Sequence, residues 1–203
     1  DPSLYSAITS GAVQVPNGTV FNFTTPNNQR GSILYTGAGR VFYDRALNRI
    51  ILSNTNATTS LTVQGRTNGN NNNNANLKDL QILGNNNISL GSLRINARLM
   101  GDSRVFVDGG IGTFAANRIN TTGTVGSGGD ITSFTANLWD RGQAVGRAVG
   151  SFIIGNAFGR PEVIGEAAAR FLGLGTLQIG GRLAGTISSD QNIGTVTLNT
   201  VVA

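Results

Sequence analysis

Residues 174–180 read Leu-Gly-Thr-Leu-Gln-Ile-Gly, and the same pattern returns along most of the chain. The template is an apolar residue, Gly, Ser or Thr, apolar, any residue, apolar, then Gly or Asn. Copies begin at residues 90, 111, 131, 149, 174 and 193, and weaker copies begin at residues 58 and 77. Successive copies begin 19, 13, 21, 20, 18, 25 and 19 residues apart. A repeat of about 20 residues is typical of a solenoid.

The chemistry of the template predicts the kind of solenoid. Its fourth and sixth positions are apolar around a polar or small fifth position, and this period of two indicates a strand. The final Gly or Asn tolerates the left-handed backbone of a corner. Further apolar steps, such as residues 104–107 and 185–187, predict a second strand in each coil and leave room for a third. We therefore predict an all-β fold, a parallel β-helix of about 8–10 coils stacked ~4.8 Å apart.

An antiparallel sandwich of eight similar hairpins is the alternative fold. Strands in such a sandwich recur every 8–12 residues or so. The Gly-Thr or Gly-Ser pair instead recurs in phase at about 20 residues, which favours coils.

The ends of the chain depart from the repeat. Residues 1–29 carry no template copy, but Val13, Val15 and residues 20–23 alternate in polarity and predict one or two strands outside the coils. Residues 30–203 are assigned to the solenoid. Residues 161–171 begin with Pro and an acid, continue through Ala and precede Gly173, so they predict one short helix inserted at a corner.

Composition excludes several kinds of site. The 203 residues correspond to one domain, or to a short solenoid with an end piece. With no Cys and no His, the chain lacks disulfides, Cys-based metal sites and the commonest general base. No apolar run has the length of a membrane span. The chain begins with Asp1-Pro2 rather than Met, which indicates either removal of a signal peptide or a fragment, and we expect processing and export.

Charge and acidic residues predict no active site. The net charge of +5 comes from 14 Arg and one Lys spread along the coils, which indicates solvated outer positions rather than a nucleic-acid surface. Asp108, Asp130 and Asp190 each end a coil. A glycosidase needs two carboxylates about 5–10 Å apart, but a row of corner Asp is more often a turn-capping device. We predict no catalytic residue, no metal site and no cofactor, and hence no enzyme.

The units at residues 174–187 and 193–199 resemble the IGTLTVGGDLSGTI repeats of bacterial exported β-solenoid proteins. The resemblance covers about residues 58–203. It implies an extracellular or cell-surface location with an adhesive or structural role. It carries no site residue over to this chain.

The end of the repeat suggests a function. A terminal coil exposes an unpaired strand edge, so solenoids normally carry a polar cap, and no capping helix follows residue 199. We predict an extracellular structural subunit that assembles head to tail with copies of itself into a filament or surface layer. Residues 1–29 cap either their own chain or a neighbour. The predicted interface consists of Val13, Val15, Val20, Phe21, Phe23, Val196, Leu198, Val201 and Val202.

A second hypothesis is a β-helix that binds or cleaves polysaccharide. Trp139, Tyr35 or Tyr43 would stack on sugar rings from a side face, with Asp140 or Asp108 nearby. A third hypothesis, a segment of a larger surface adhesin, differs from the first only in whether the chain continues. The expected partner is the protein itself, with polysaccharide as the alternative, and neither nucleic acid nor a membrane span is expected.

Overall fold

The predicted parallel β-helix is confirmed in the computed structural model, which describes residues 2–67, 70–160 and 166–201. Strands make up 69% of the chain and helix 3%, and the stacked parallel strands form a β-solenoid of about six turns, fewer than the eight to ten expected. The elements are α1 (Pro2–Ser10), β1 (Val13–Val15), β2 (Phe21–Thr24), β3 (Arg30–Thr36), β4 (Arg40–Asp44), β5 (Arg49–Ser53), β6 (Ser60–Thr67), β7 (Asn70–Asn71), β8 (Asn76–Lys78), β9 (Gln81–Gly84), β10 (Leu90–Gly101), β11 (Arg104–Val107), β12 (Ile111–Ser127), β13 (Ile131–Ile154), β14 (Ala167–Leu183), β15 (Thr186–Ser189) and β16 (Ile193–Val201).

Each turn of the solenoid contributes to three faces. The first face holds the template copies, paired in parallel from β6 through β10, β12, β13 and β14 to β16. The second face begins with β8, which pairs with residues 98–100 of β10. The third face runs from β9 through β11, the later parts of β12 and β13 and the start of β14 to β15. These parallel registers exclude the antiparallel sandwich.

The template copies lie side by side, with one exception. Ser60 is opposite Ser92, so the weak copy at residue 58 stacks directly on the copy at residue 90. In the supposed copy at residue 77, Leu77 is instead opposite Leu99 on the second face and Ile82 is opposite Val105 on the third. The prediction of a template copy at residue 77 is therefore wrong. Residues 77–82 complete the first turn rather than begin another.

Close stacking of the turns explains the glycine of the template. A Cβ on Gly112 would lie 2.4 Å from the carbonyl oxygen of Gly91, and one on Gly175 would lie 2.5 Å from that of Gly150. Real Cβ atoms essentially never approach closer than 3.0 Å. The second template position therefore favours glycine because it packs against the backbone of the preceding turn.

The third and fourth template positions point to opposite sides of the first face. The hydroxyls at the third position form an outer column, in which Ser60 and Ser92 hydrogen-bond at 2.7 Å. The fourth position forms an inward row that is buried from Leu61 to Leu177. Its centre is aromatic, with the rings of Phe114 and Phe134 4.4 Å apart.

The N-terminal layers change strand direction. On the first face, β3 runs antiparallel to β6 and β2 antiparallel to β3. On the third face, β5 is parallel to β9, β4 is antiparallel to β5, and β1 is antiparallel to β4. Strands outside the repeat were predicted for residues 1–29, and β1 and β2 confirm them. Helix α1 was not predicted; Ala7 packs with Phe42 and Ile51 on the outer side of the third face.

The helix predicted over residues 161–171 is wrong where the structure describes it. Residues 161–165 lie outside the described part of the chain. Residues 167–171 begin β14 and pair in parallel with β13. Ala167, Ala169 and Phe171 are buried at alternate positions, so inward packing of a strand prevails over the helix propensity of Ala.

Candidate assembly surfaces

The C-terminal end of the solenoid exposes the interior of its last turn. Within the described residues, β15 and β16 pair with β14 on one side and with no strand on the other. Val196 continues the inward row of the first face, yet it is 50% exposed, whereas its neighbour Leu177 is 4% exposed. Leu198 is half-buried for the same reason. The end is an apolar surface bordered by two free strand edges.

The N-terminal end also exposes inward-facing residues and strand edges. Strands β1 and β2 are the outermost strands of the third and first faces, and each pairs on one side only within the described chain. Val13 lies opposite Tyr43 in the inward row of the third face and is 56% exposed. A cavity of about 660 Å³ opens beside Val13 and is lined also by Phe21 and Phe23.

The structure places the N-terminal residues of the predicted interface in two environments. Val15 and Phe23 are buried in the core of their own chain, and Phe21 is half-buried, with its ring 6.3 Å from that of Tyr43. Val20 is 56% exposed, like Val13. These residues therefore cover their own solenoid while leaving an apolar rim at its N-terminal end.

The C-terminal residues of the predicted interface lie on the last strand. Val196 and Leu198 lie together at the open end, and Val201 belongs to β16, opposite Leu183. Val202 lies outside the described residues. The two groups of predicted residues are thus at opposite ends of the solenoid, as a head-to-tail contact requires.

Two of the corner aspartates, Asp108 and Asp130, cap backbone groups of neighbouring turns. Asp130 Oδ1 accepts a hydrogen bond from the backbone NH of Ala148 at 3.2 Å, and Asp108 Oδ2 accepts one from Asn87 at 3.3 Å. Arg147 donates to both carboxylate oxygens of Asp130 at 2.8 and 2.9 Å, and these bonds hold the pKa of Asp130 below its usual range. These contacts support the predicted turn-capping role.

The sugar-stacking face proposed from the sequence is not present. Trp139 is fully buried, and Tyr35 and Tyr43 are 2% and 4% exposed, so these rings belong to the core. Burial raises the pKa of Tyr43 to about 12. The period-two alternation of the flanking residues in the sequence points all three side chains inward.

The second face carries a group of arginines that the sequence did not predict. Arg118 and Arg160 pair with Asp140 at the second face, and Arg98 and Arg160 both contact the neighbouring Asn120. The signal available in the sequence was the spacing of Arg98 and Arg118, which is one turn of the repeat and places them opposite each other. The arginines are therefore less evenly dispersed than the composition indicated.

The described part of the chain has two further properties. None of its helices is long and apolar enough to cross a membrane. Across the same residues, no group of three or more His, Cys, Asp or Glu side chains could hold a metal ion.

Comparison with protein-family models, with curated proteins and with solved structures gave no match.

Proposed function

We propose that this protein is a structural subunit that stacks end to end with copies of itself into a filament or surface layer. The observation that carries the proposal is the match between the two ends of the solenoid. Both ends expose apolar inward rows beside free strand edges, and the edges at one end have the direction needed to pair with those at the other.

The direction of the edge strands follows from the pairing pattern. On the first face, two successive antiparallel pairings, β6 with β3 and β3 with β2, return β2 to the direction of β6 and hence of β16. On the third face, β4 and then β1 likewise restore the direction of β5, β9 and β15. A copy translated along the axis therefore presents β2 parallel to β16 and β1 parallel to β15.

The first and third faces also contain equal numbers of strands. The first face has nine layers, because β13 passes through it twice, and the third face has nine. At the N-terminal end the third face extends one layer further than the first, because β1 lies one layer beyond β2. At the C-terminal end the first face extends one layer further than the third, because β16 lies one layer beyond β15. These steps are complementary, so one translated copy continues both sheets without a gap.

Assembly would bury surface that the isolated chain exposes. The inward row of the third face begins at Val13, and that of the first face ends at Val196. Burying such side chains stabilises an interface by about 25 cal/mol per Å² of apolar surface. A head-to-tail contact of this kind does not close on itself, so it propagates. The extracellular location expected from the resemblance suits such a polymer.

Electron microscopy and sedimentation over a concentration series test the proposal. Nine layers at ~4.8 Å predict filaments with an axial repeat of about 43 Å. Val196→Lys places a charge in the C-terminal end and should leave single subunits. Leu172→Lys is the matched control, because Leu172 is 47% exposed but lies on a side face. Single subunits of the unchanged protein at every concentration, or filaments unaffected by Val196→Lys, would refute the proposal.

A mixing experiment tests the head-to-tail geometry. Val13→Lys blocks the N-terminal end and Val196→Lys the C-terminal end, so each variant alone keeps one intact end and should remain a single subunit. Mixed in equal amounts, the two variants should form dimers and nothing longer. Dimers of either variant alone would indicate contact between identical ends and would contradict translational stacking.

A further inference from the structure

Three arginines from three turns lie around Asp140 and Asn120 on the second face. The Nε of Arg118 donates to Asp140 Oδ2 at 2.6 Å, and an Nη of Arg160 lies 3.5 Å from the same oxygen. With its amide oxygen turned towards the guanidiniums, Asn120 accepts hydrogen bonds from Arg98 at 2.8 Å and from Arg160 at 3.2 Å. We call these five residues the arginine cluster.

The arginine cluster carries more positive charge than its own carboxylate neutralises. Three guanidiniums against Asp140 leave an excess of two positive charges. The neighbouring Arg141 and Glu166 pair with each other at 3.9 Å and do not change this excess. Burial lowers the pKa of Arg98, and the positive charges of Arg118 and Arg160 lower it further. The guanidiniums are thus held together against their mutual repulsion.

The cluster also has unused hydrogen-bond donors. Each guanidinium offers five N–H groups. Within the described residues, the buried Nε of Arg98 has no hydrogen-bond partner, and Arg118 donates only through its Nε. The side chains of Arg118 and Arg160 are 31% and 38% exposed, whereas that of Asp140 is 9% exposed. The carboxylate therefore forms the floor of the site, and the guanidiniums of Arg118 and Arg160 are accessible from solvent.

We propose that the arginine cluster binds a doubly charged oxyanion, a sulfate or phosphate group. Such a group neutralises the excess of two charges and accepts several N–H bonds from planar guanidiniums, a geometry that favours Arg over Lys. The group reaches the site either as the free ion or as an ester on an acidic polysaccharide lying along the second face. The chemistry at the three arginines is the same in both cases.

Calorimetric titration distinguishes the two sources. The probes are inorganic sulfate, a sulfated oligosaccharide and an uncharged oligosaccharide of the same length, all at constant ionic strength. We expect sulfate groups to bind and the uncharged sugar not to bind. Arg98→Gln and Arg160→Gln should each raise the Kd about tenfold or more, since a hydrogen bond to a charged group contributes at least about one tenfold step. Arg94→Gln, an exposed arginine on the first face, removes the same charge and should leave the Kd unchanged.

Each outcome bears on the proposal. Equal affinity for the ion and the sulfated sugar indicates the free ion, and tighter binding of the sugar with the same dependence on Arg98 indicates the polysaccharide. Binding of neither probe overturns the proposal, as does an equal loss in Arg94→Gln. Urea unfolding in chloride identifies a variant that is misfolded, and the second cluster variant then provides the test.

Discussion

Replacing Gly175 with Ala tests whether the template glycine is required for stacking. The added Cβ would lie 2.5 Å from the carbonyl oxygen of Gly150, whereas real Cβ atoms keep at least 3.0 Å from such neighbours. The two turns must therefore separate locally by about 0.5 Å, in a region where the neighbouring atoms are backbone. Overpacking of this kind costs about 1–3 kcal/mol of the free energy of unfolding.

Gly173→Ala is the matched control, two residues away in the same strand. Its Cβ would meet only the end of the Gln191 side chain, at 3.3 Å, which can move aside. Ala there fits the folded chain and restricts the unfolded one, so it should stabilise the protein by up to about 1 kcal/mol. Urea unfolding followed by circular dichroism should therefore shift the two midpoints in opposite directions.

The reasoning is refuted if Gly175→Ala unfolds within about 0.5 kcal/mol of Gly173→Ala, the scatter expected of an indifferent substitution. Thr132 holds the corresponding position in one turn, and nothing in the structure explains why that turn accepts a side chain. Gly194→Ala adds a second measurement. Its Cβ would lie 2.4 Å from the carbonyl of Gly175, but the last turn is free to move outward, so its cost should be smaller.

Three other predictions concern the core and two titrating groups. Phe134→Ala removes a fully buried ring 4.4 Å from Phe114 and should cost about 3–5 kcal/mol in urea unfolding; a cost under 1 kcal/mol would contradict the aromatic core. Hydrogen bonds from Arg147 lower the pKa of Asp130 in the folded protein. These bonds therefore stabilise the fold above pH 3.8, the ordinary pKa of the carboxyl, and the stabilisation is lost as the pH falls through the lowered pKa. Asp130→Asn should flatten this acid dependence slightly, because the pair is exposed, and an unchanged profile would count against it. Burial raises the pKa of Tyr43 from 10.0 to about 12, so its contribution to stability is present below pH 10 and disappears between these values. Absorbance titration should show a tyrosine that ionises near pH 12 and is lost in Tyr43→Phe; an unchanged titration curve in Tyr43→Phe would contradict this assignment.

The first face was predictable because its constraints are local and recur in every turn. Gly91 and Gly112 meet the same steric condition, the backbone of the preceding turn, so the same residue recurs 21 positions later. The hydroxyl and apolar positions that follow point alternately outward and inward. A pattern of this kind records the geometry of stacking directly in the sequence.

The assignment of strands to faces was less predictable. Leu77 and Ile82 alternate as the template does, because any inward strand alternates, and only their pairing with Leu99 and Val105 places them on other faces. Ala167 and Ala169 have strong helix propensity, but they fill narrow inward positions of β14. Both outcomes depend on packing between turns, and a short stretch of sequence does not reveal that packing.

The two candidate sites also differ in how far the sequence predicts them. The exposed apolar ends could be anticipated from Val13 and Val196, because each belongs to an inward row that begins or stops there. The arginine cluster could not be anticipated as a whole. Arg160 reaches Asp140 from a later turn, and no spacing in the repeat connects it to Arg98.

The antiparallel hairpin of β4 and β5 has a consequence for how the chain folds. Its five residue pairs close over the short loop at residues 45–48, so little chain entropy is lost in forming it. Every parallel contact between turns instead closes a longer loop, such as the 32 residues that separate Ser60 from its partner Ser92. We therefore expect the hairpin to nucleate folding and each turn to be added on the one before it. Folding would then begin at the N-terminal end, which the ribosome delivers first, and the later turns would assemble on a surface that already exists.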